Sequence, residues 1–400
     1  MDQIHRIHEH LLGRQPSSVR RGLMDQINHN QRLIAIQGAR GVGKTSFLLD
    51  YARDYSVAHG KDKSLYINLN QLCFTEKNIV DFAQEFVNEG GKLLLLDQVY
   101  KYPDWSTELS KCYELFPELK IIFTGSSVMC IGEDNEPLSR QCASYKLNGF
   151  SLREFLNLKC GMSLPVINIE DILKNHQEIA EIITRDMHPM SWMPDYLKYG
   201  YYPFFLEQHN FSENLLKSIN MMLEVDVLLI KQIDQRCLHK LRKLLYILSQ
   251  DAPDRPNVSQ LAKSIDTSRA TVSNYLQYLA DAQMISLLKK PEDDEKKKPG
   301  EYYLHNTNLS YVLNPRDLDK PSVERLKDIY ATYFLSQVKA RYQVDMDNKA
   351  KSRFFVDGKY HFAVEPVWDR RHTSSRYVAA GNIEIGSKNV IPLWMFGLLY

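Results

Sequence analysis

Residues 38–45 read Gly-Ala-Arg-Gly-Val-Gly-Lys-Thr, a full match to the phosphate-binding pattern G-x-x-x-x-G-K-[ST]. Its glycines let backbone N–H groups approach a polyphosphate, and the helix that follows points its positive end at the same charge. The pattern assigns Gly38, Ala39, Arg40, Gly41, Val42, Gly43, Lys44, Thr45 and Ser46 to a nucleotide, with Lys44 on the β- and γ-phosphates and the Thr45 hydroxyl on Mg²⁺. The flanks agree. Leu33-Ile34-Ala35-Ile36 is a short apolar run that predicts a buried strand entering the loop, and Thr45–Tyr51 reads as the helix leaving it. The competing reading is a glycine-rich turn without a ligand. The expected ligands are ATP and Mg²⁺.

Downstream, Ser64–Leu69 carries a strand signal, residues 76–89 look helical, and Gly90-Gly91 punctuates the chain. Lys92-Leu93-Leu94-Leu95-Leu96-Asp97 then gives a continuously apolar run ending in an acid, as suits a strand covered on both faces. Many core strands end this way. After a phosphate loop, Asp97 gains a meaning: it can hold the water shell of Mg²⁺, with Thr45 as the other metal-side residue. A further apolar strand, Leu119–Phe123, ends in Thr124-Gly125-Ser126-Ser127. Thr124 and Ser126 are the candidates for a polar sensor of the γ-phosphate, and a plain Gly-Ser turn is the alternative.

The whole chain sets the bounds. Four hundred residues, 44% apolar and 25% charged, describe an ordinary soluble globular protein of several domains. A formal net charge of +1 supplies no global pull toward nucleic acid or membrane, so any such binding must be local. Cys73, Cys112, Cys130, Cys142, Cys160 and Cys237 lie far apart with no C-x-x-C pair, which argues against a zinc site or a disulfide framework. The N-terminus lacks an apolar signal and no apolar run reaches membrane-spanning length, so a cytoplasmic location and no membrane partner are expected.

The run LLLLDQVYKYPDWSTELSKCYELFPELKIIFTGSS (93–127) resembles the AAA-type ATPases of bacteria and archaea that carry a poorly characterised C-terminal domain. So do Leu138-Ser139-Arg140-Gln141, the segment Tyr145–Phe155, Tyr196–Pro203 and the C-terminal IPLWMFGLLY. The resemblance implies an α/β fold: a parallel-sheet P-loop ATPase core over residues 1–155, a helical lid (156–235), a winged helix-turn-helix (236–310) and a small α+β C-terminal domain (311–400). It also exposes two departures. Such ATPases follow the metal-binding Asp with a Glu that polarises the attacking water, whereas this chain has Gln98, whose amide cannot take a proton. Binding should survive and hydrolysis should slow. Two origins fit: a natural ATPase that has lost its proton acceptor, or a substitution made to trap ATP. Where relatives often have two arginines this chain has Arg140-Gln141, leaving Arg140 either as an arginine finger for a neighbouring subunit or as a surface residue.

Gly200-Tyr201-Tyr202-Pro203 is similar to the lid signature that presses a proline on the adenine ring, which makes Pro203 a nucleotide-binding candidate; a turn between helices is the alternative. Leu238, Leu241, Leu244, Leu245 and Leu248 recur at helical spacing, and Ser268–Leu279 turns Val272, Leu276 and Leu279 inward and Arg269, Thr271, Ser273, Asn274 and Gln277 outward. With Met284–Leu288, Glu301–Leu304 and the polar tip PEDDEKKKPG between them, the pattern is a helix-turn-helix with a wing, serving either double-stranded DNA or internal packing. In the C-terminal part, Leu326–Ala340 reads as a helix and Arg353–Val356, Asp357-Gly358 and Tyr360–Glu365 as a hairpin. The resemblance implies a degenerate nuclease-like module here. Asp347 or Asp357 and Glu365 could supply its acids, but Val367 stands where its chemistry requires lysine. The expectation is an ATP-binding, slowly hydrolysing, oligomerising protein that acts on DNA or, alternatively, a nucleotide-gated switch for a protein partner.

Overall fold

Leu33–Gly38 forms β1, a strand whose first four residues are buried, as a run apolar on both faces requires. The computed structural model describes residues 2–14, 20–131, 135–136, 138–207, 210–289, 300–315, 321–347, 353–367 and 376–400. They divide into two compact units, Met1–Asn148 and Gly149–Tyr400.

In the first unit, α1 (Asp2–Leu12) precedes β1. There follow α2 (Lys44–His59), β2 (Ser64–Asn68), α3 (Ile79–Asn88), β3 (Leu93–Asp97), α4 (Trp105–Leu115), β4 (Lys120–Ser126) and β5 (Cys142–Lys146). The five strands are all parallel, in the order β2-β3-β4-β1-β5. Parallel pairs need crossover connections, which here are the helices. β4 therefore lies between the loop-bearing β1 and the acid-bearing β3, and Gly38 pairs with Ser126 in register. The edge strand β5, with its half-exposed side chains, escapes a search for apolar runs.

The second unit opens with α5 (Leu152–Cys160), whose start carries a full capping box between Ser151 and Glu154. α6 (Ile169–Asp186), α7 (Pro189–Asp195) and α8 (Phe211–Met221) follow. Next come α9 (Leu238–Asp251), α10 (Val258–Ser264), α11 (Arg269–Asp281) and the antiparallel pair β6 (Ile285–Leu287) and β7 (Tyr302–Leu304). Val272, Leu276 and Leu279 are buried while Arg269, Ser273, Asn274 and Gln277 are exposed, as the sequence pattern requires. Most of the polar tip, residues 291–299, lies outside the described residues.

α12 (Thr307–Leu313) and α13 (Val323–Val338) lead into β8 (Val344–Met346), β9 (Phe354–Val356), β10 (Tyr360–Glu365), β11 (Tyr377–Ala380) and β12 (Val390–Pro392). These strands form a mixed sheet in the order β12-β11-β10-β9-β8. The β9–β10 hairpin turns at Asp357 (φ 56°) and Gly358 (φ 66°), matching its reading as a turn. Its core joins Phe155 and Tyr196 with Phe334, Phe362, Trp394 and Phe396. Among the described residues, no helix is long and apolar enough to cross a membrane.

One polar contact ties α1 to the sheet. The buried His8 accepts a hydrogen bond at Nδ1 from the Tyr66 backbone N–H, 3.0 Å away, on the edge strand β2. Burial, helped by His5, lowers its pKa from 6.5 to about 4, because a protonated ring would be desolvated and unable to accept that bond. The neutral ring therefore contributes stability that is intact above pH 6.5 and is lost as pH falls toward 4. A shift of this size corresponds to about 3 kcal/mol at the acid end. Thermal unfolding of wild type and His8→Gln between pH 7.5 and 4.5 should show a shallower acid decline in the variant. Identical declines would remove His8 as the cause.

Candidate functional site

The loop is curled by its own backbone. Gly41 (φ 86°) and Gly43 (φ 97°) adopt the left-handed region that side chains disfavour, and Gly43 caps the start of α2. At Gly38 an added Cβ would lie 2.4 Å from the Leu147 carbonyl oxygen, so only glycine fits where β1 enters the turn. Lys44 Nζ donates to the carbonyls of Gly38 and Ala39, both at 2.8 Å, which folds the lysine back over the loop. Arg21 braces the loop from behind, donating to the Val42 carbonyl at 2.9 Å and to the Asn148 carbonyl at 2.7 Å. Ala39 and Val42 are buried, and Ser46 is exposed on the first turn of α2.

Asp97 ends β3, fully buried at 1% exposure. Its carboxylate is held by three hydroxyls. Thr45 donates to Oδ2 at 2.7 Å, Tyr66 donates to the same oxygen at 2.8 Å, and Thr124 donates to Oδ1. Burial first, then the Asp97 charge, raises the Tyr66 pKa well above its ordinary value, so its phenol stays protonated and donating. Thr45 gives its hydrogen to Asp97 and keeps its oxygen lone pairs for a cation. A lysine, loop amides, a hydroxyl and a carboxylate form a donor set that suits a triphosphate with Mg²⁺.

Gln98 follows in the left-handed region (φ 58°), an uncommon conformation for a side-chain-bearing residue and one concentrated at functional sites. Its N–H donates to Thr124 Oγ1 at 2.9 Å. Its side-chain Oε1 accepts from the Tyr100 hydroxyl at 3.2 Å, which in turn accepts from Arg40 at 2.9 Å. A continuous chain of polar contacts thus runs from loop residue Arg40 through Tyr100, Gln98 and Thr124 to Asp97.

The two sensor candidates separate. Thr124 enters the Asp97 network, whereas Ser126 sits buried beside Gly38, its Oγ accepting from Val128 N at 3.5 Å and its N–H donating to Met129 Sδ at 3.2 Å. Arg140 is exposed in the turn ahead of β5. Pro203 belongs to the second unit, half-buried at the start of a 3-10 helix, Pro203–Glu207, just after the buried Tyr201 and Tyr202. Asn308 Oδ1 accepts from the backbone N–H of both tyrosines.

Sequence reasoning did not single out Arg21, Tyr66 or Tyr100. Tyr66 is one aromatic in an ordinary strand, and only the pairing of β2 with β3, Asn68 opposite Asp97, brings it to the acid. In the C-terminal sheet Asp347 Oδ2 contacts His361 Nδ1 at 2.6 Å, and Glu365 pairs with Lys327 of α13 at 3.0 Å. Val367 is 59% exposed. Among the described residues, no group of three or more His, Cys, Asp or Glu side chains could hold a metal ion.

Residues 30–156 match the family model described as an AAA domain, and residues 190–307 match one described as a domain of unknown function, DUF8612. Two uncharacterized proteins of Methanocaldococcus jannaschii are each 24% identical to this chain. One matches over 270 residues (64% of this chain, 57% of the relative) and the other over 277 (64% and 56%). The chain therefore spans little more than half the length of these relatives. Among solved structures, the Thermotoga maritima RuvB Holliday junction branch migration motor aligns at 14% identity and a TM-score of 0.25, covering 65% of this chain and 82% of that one. The Aeropyrum pernix Orc1 protein in complex with DNA aligns at 10% identity and a TM-score of 0.31, covering 80% and 92%. The family match and the loop-bearing parallel sheet make residues 30–156 an AAA-type P-loop ATPase domain.

Proposed function

We propose that this protein binds ATP with Mg²⁺ at residues 38–46, hydrolyses it slowly, and uses the bound nucleotide to assemble copies of itself on DNA. The observation that carries the reading is the Thr45–Asp97 hydrogen bond at 2.7 Å, which joins the loop to the acid at the end of β3. In this arrangement Lys44 and the loop amides bind the phosphates. When bound, Mg²⁺ supplies charge neutralisation at the phosphates, with Thr45 and Asp97 as the residues that hold it. Ser126 and Thr124 serve as sensors, Arg140 as the finger toward a neighbouring subunit, and Pro203 as the contact to adenine. Residues 156–235 act as the lid, 236–310 as the winged helix and 311–400 as a catalytically silent α+β part.

Binding is tested at Lys44. Removing its ammonium deletes charge-assisted hydrogen bonds worth about 1.5–3 kcal/mol, so Lys44→Ala should weaken ATP binding about 10–100-fold. Calorimetry that finds unchanged affinity would show that the loop does not serve a triphosphate.

Hydrolysis is tested at Gln98. Positioned acid–base groups contribute typically ~100–10,000-fold, so Gln98→Glu should raise phosphate release by roughly two orders of magnitude while ATP affinity changes little. Equal steady-state rates in the two proteins would place water activation elsewhere.

Action on DNA is supported by the exposed polar set on α11, whose Ser268 side chain caps the helix by accepting from Thr271 N at 3.1 Å. Only one of the outward residues is a cation, so attraction to phosphate is modest and low salt is the condition to use. Arg269→Ala with Asn274→Ala should weaken duplex binding about tenfold or more, by the loss of groove contacts of about 1–3 kcal/mol each, with the melting temperature unchanged. A wild-type protein that ignores duplex DNA at low salt but still assembles with ATP would instead favour the switch for a protein partner.

A further inference from the structure

We infer that Tyr66 is a positioning residue for the metal: its hydroxyl fixes the Asp97 carboxylate so that Mg²⁺ and ATP bind cooperatively. The inference rests on the ATP–Mg²⁺ reading above and adds to it a residue outside the loop and outside the acid strand.

Three observations carry it. First, Tyr66 Oη and Thr45 Oγ1 converge on one oxygen, Asp97 Oδ2, at 2.8 and 2.7 Å. Tyr66 therefore reaches the oxygen that binds the metal-side hydroxyl. Second, an ionised carboxylate offers about four lone-pair sites. Thr45, Tyr66 and Thr124 take three of them from α2, β2 and β4, leaving one for a water of a hydrated cation. Third, the tyrosine cannot wander. Its side chain is buried at 4% exposure, and its backbone N–H is held by His8 at 3.0 Å.

The physical argument is one of orientation. A carboxylate with a single strong donor can rotate about its Cβ–Cγ bond, and each rotation moves the acceptor that a metal-bound water needs. Donors on both oxygens, from three separate elements, remove that freedom before the cation arrives. Removing such outer-shell partners typically lowers metal affinity by about 10–100-fold. The loop lysine and amides, which hold the phosphates, do not involve Tyr66. Its loss should therefore act on the metal-dependent part of nucleotide affinity alone.

Tyr66→Phe keeps the buried ring and deletes only the hydroxyl. ATP affinity of the full chain is measured by calorimetry with excess Mg²⁺ and again with EDTA, for wild type and variant, alongside melting temperatures. The expected result is a variant that binds ATP in EDTA as wild type does, but whose gain in affinity on adding Mg²⁺ is about tenfold smaller. An equal Mg²⁺-dependent gain in both proteins overturns the inference, and so does a loss of the same size with and without Mg²⁺, which would mark the hydroxyl as merely structural. A wild type that binds ATP with no gain from Mg²⁺ overturns it too while leaving the nucleotide site standing. A wild type that binds no ATP at all overturns the nucleotide reading, and this inference with it.

Discussion

A buried carboxylate organises the ATPase domain. Asp97 is almost wholly removed from solvent, and an unpaired charge in that position would cost several kcal/mol. Three hydroxyls offset that cost, each a hydrogen bond to a charged group of about 1.5–3 kcal/mol. They come from α2, β2 and β4, so satisfying one side chain fixes the relative placement of three elements. The strand order serves the same end. With β3 between β2 and β4, Tyr66 and Thr124 approach Asp97 from either side, and Thr45 reaches it across β4 from the loop that β1 carries.

What the sequence discloses depends on whether a residue's role is local. β1 and β3 are legible because strands covered on both faces must be continuously apolar, and Leu33–Ile36 and Leu93–Leu96 satisfy that without help from elsewhere. The loop is legible because its glycines answer a backbone requirement, seen in the positive φ of Gly41 and Gly43. β5 is not, since Cys142–Lys146 is an edge strand with no apolar run to betray it. Tyr66 and Tyr100 are illegible for a different reason. A tyrosine hydroxyl acquires meaning only from its partner, and the partners lie 31 and 60 residues away, at Asp97 and Arg40.

The second unit shows the same divide at larger scale. The helical periods of α9 and α11 announce their buried faces: Leu241, Leu244, Leu245 and Leu248 on α9 and Val272, Leu276 and Leu279 on α11 are buried, while Leu238 and Thr271 are only half-buried. Nothing in residues 152–196 announces that Phe155 and Tyr196 share a core with Phe396, because apolar residues carry no label of their partner. Polar ties complete that packing. Ser151 Oγ and Arg153 Nε both donate to the Tyr400 carbonyl, at 2.7 and 2.8 Å, and Gln337 donates to the Tyr196 hydroxyl at 2.9 Å. The sheet's acids are likewise committed within the fold, Asp347 to His361 and Glu365 to Lys327.

Gln98 is held at its side chain as well as at its backbone. Its Oε1 is occupied by the Tyr100 hydroxyl, which is itself held by Arg40. An amide has a single acceptor oxygen, and the rest of its polar surface is N–H. That oxygen has two lone pairs, so with Tyr100 on one of them it can still accept from a nearby water, but an amide is not basic enough to draw off that water's proton. A carboxylate in the same place has two oxygens. One would satisfy Tyr100, strengthened by charge, and the other would remain free to accept. The surroundings of Gln98 are therefore as well suited to an acid as to the amide.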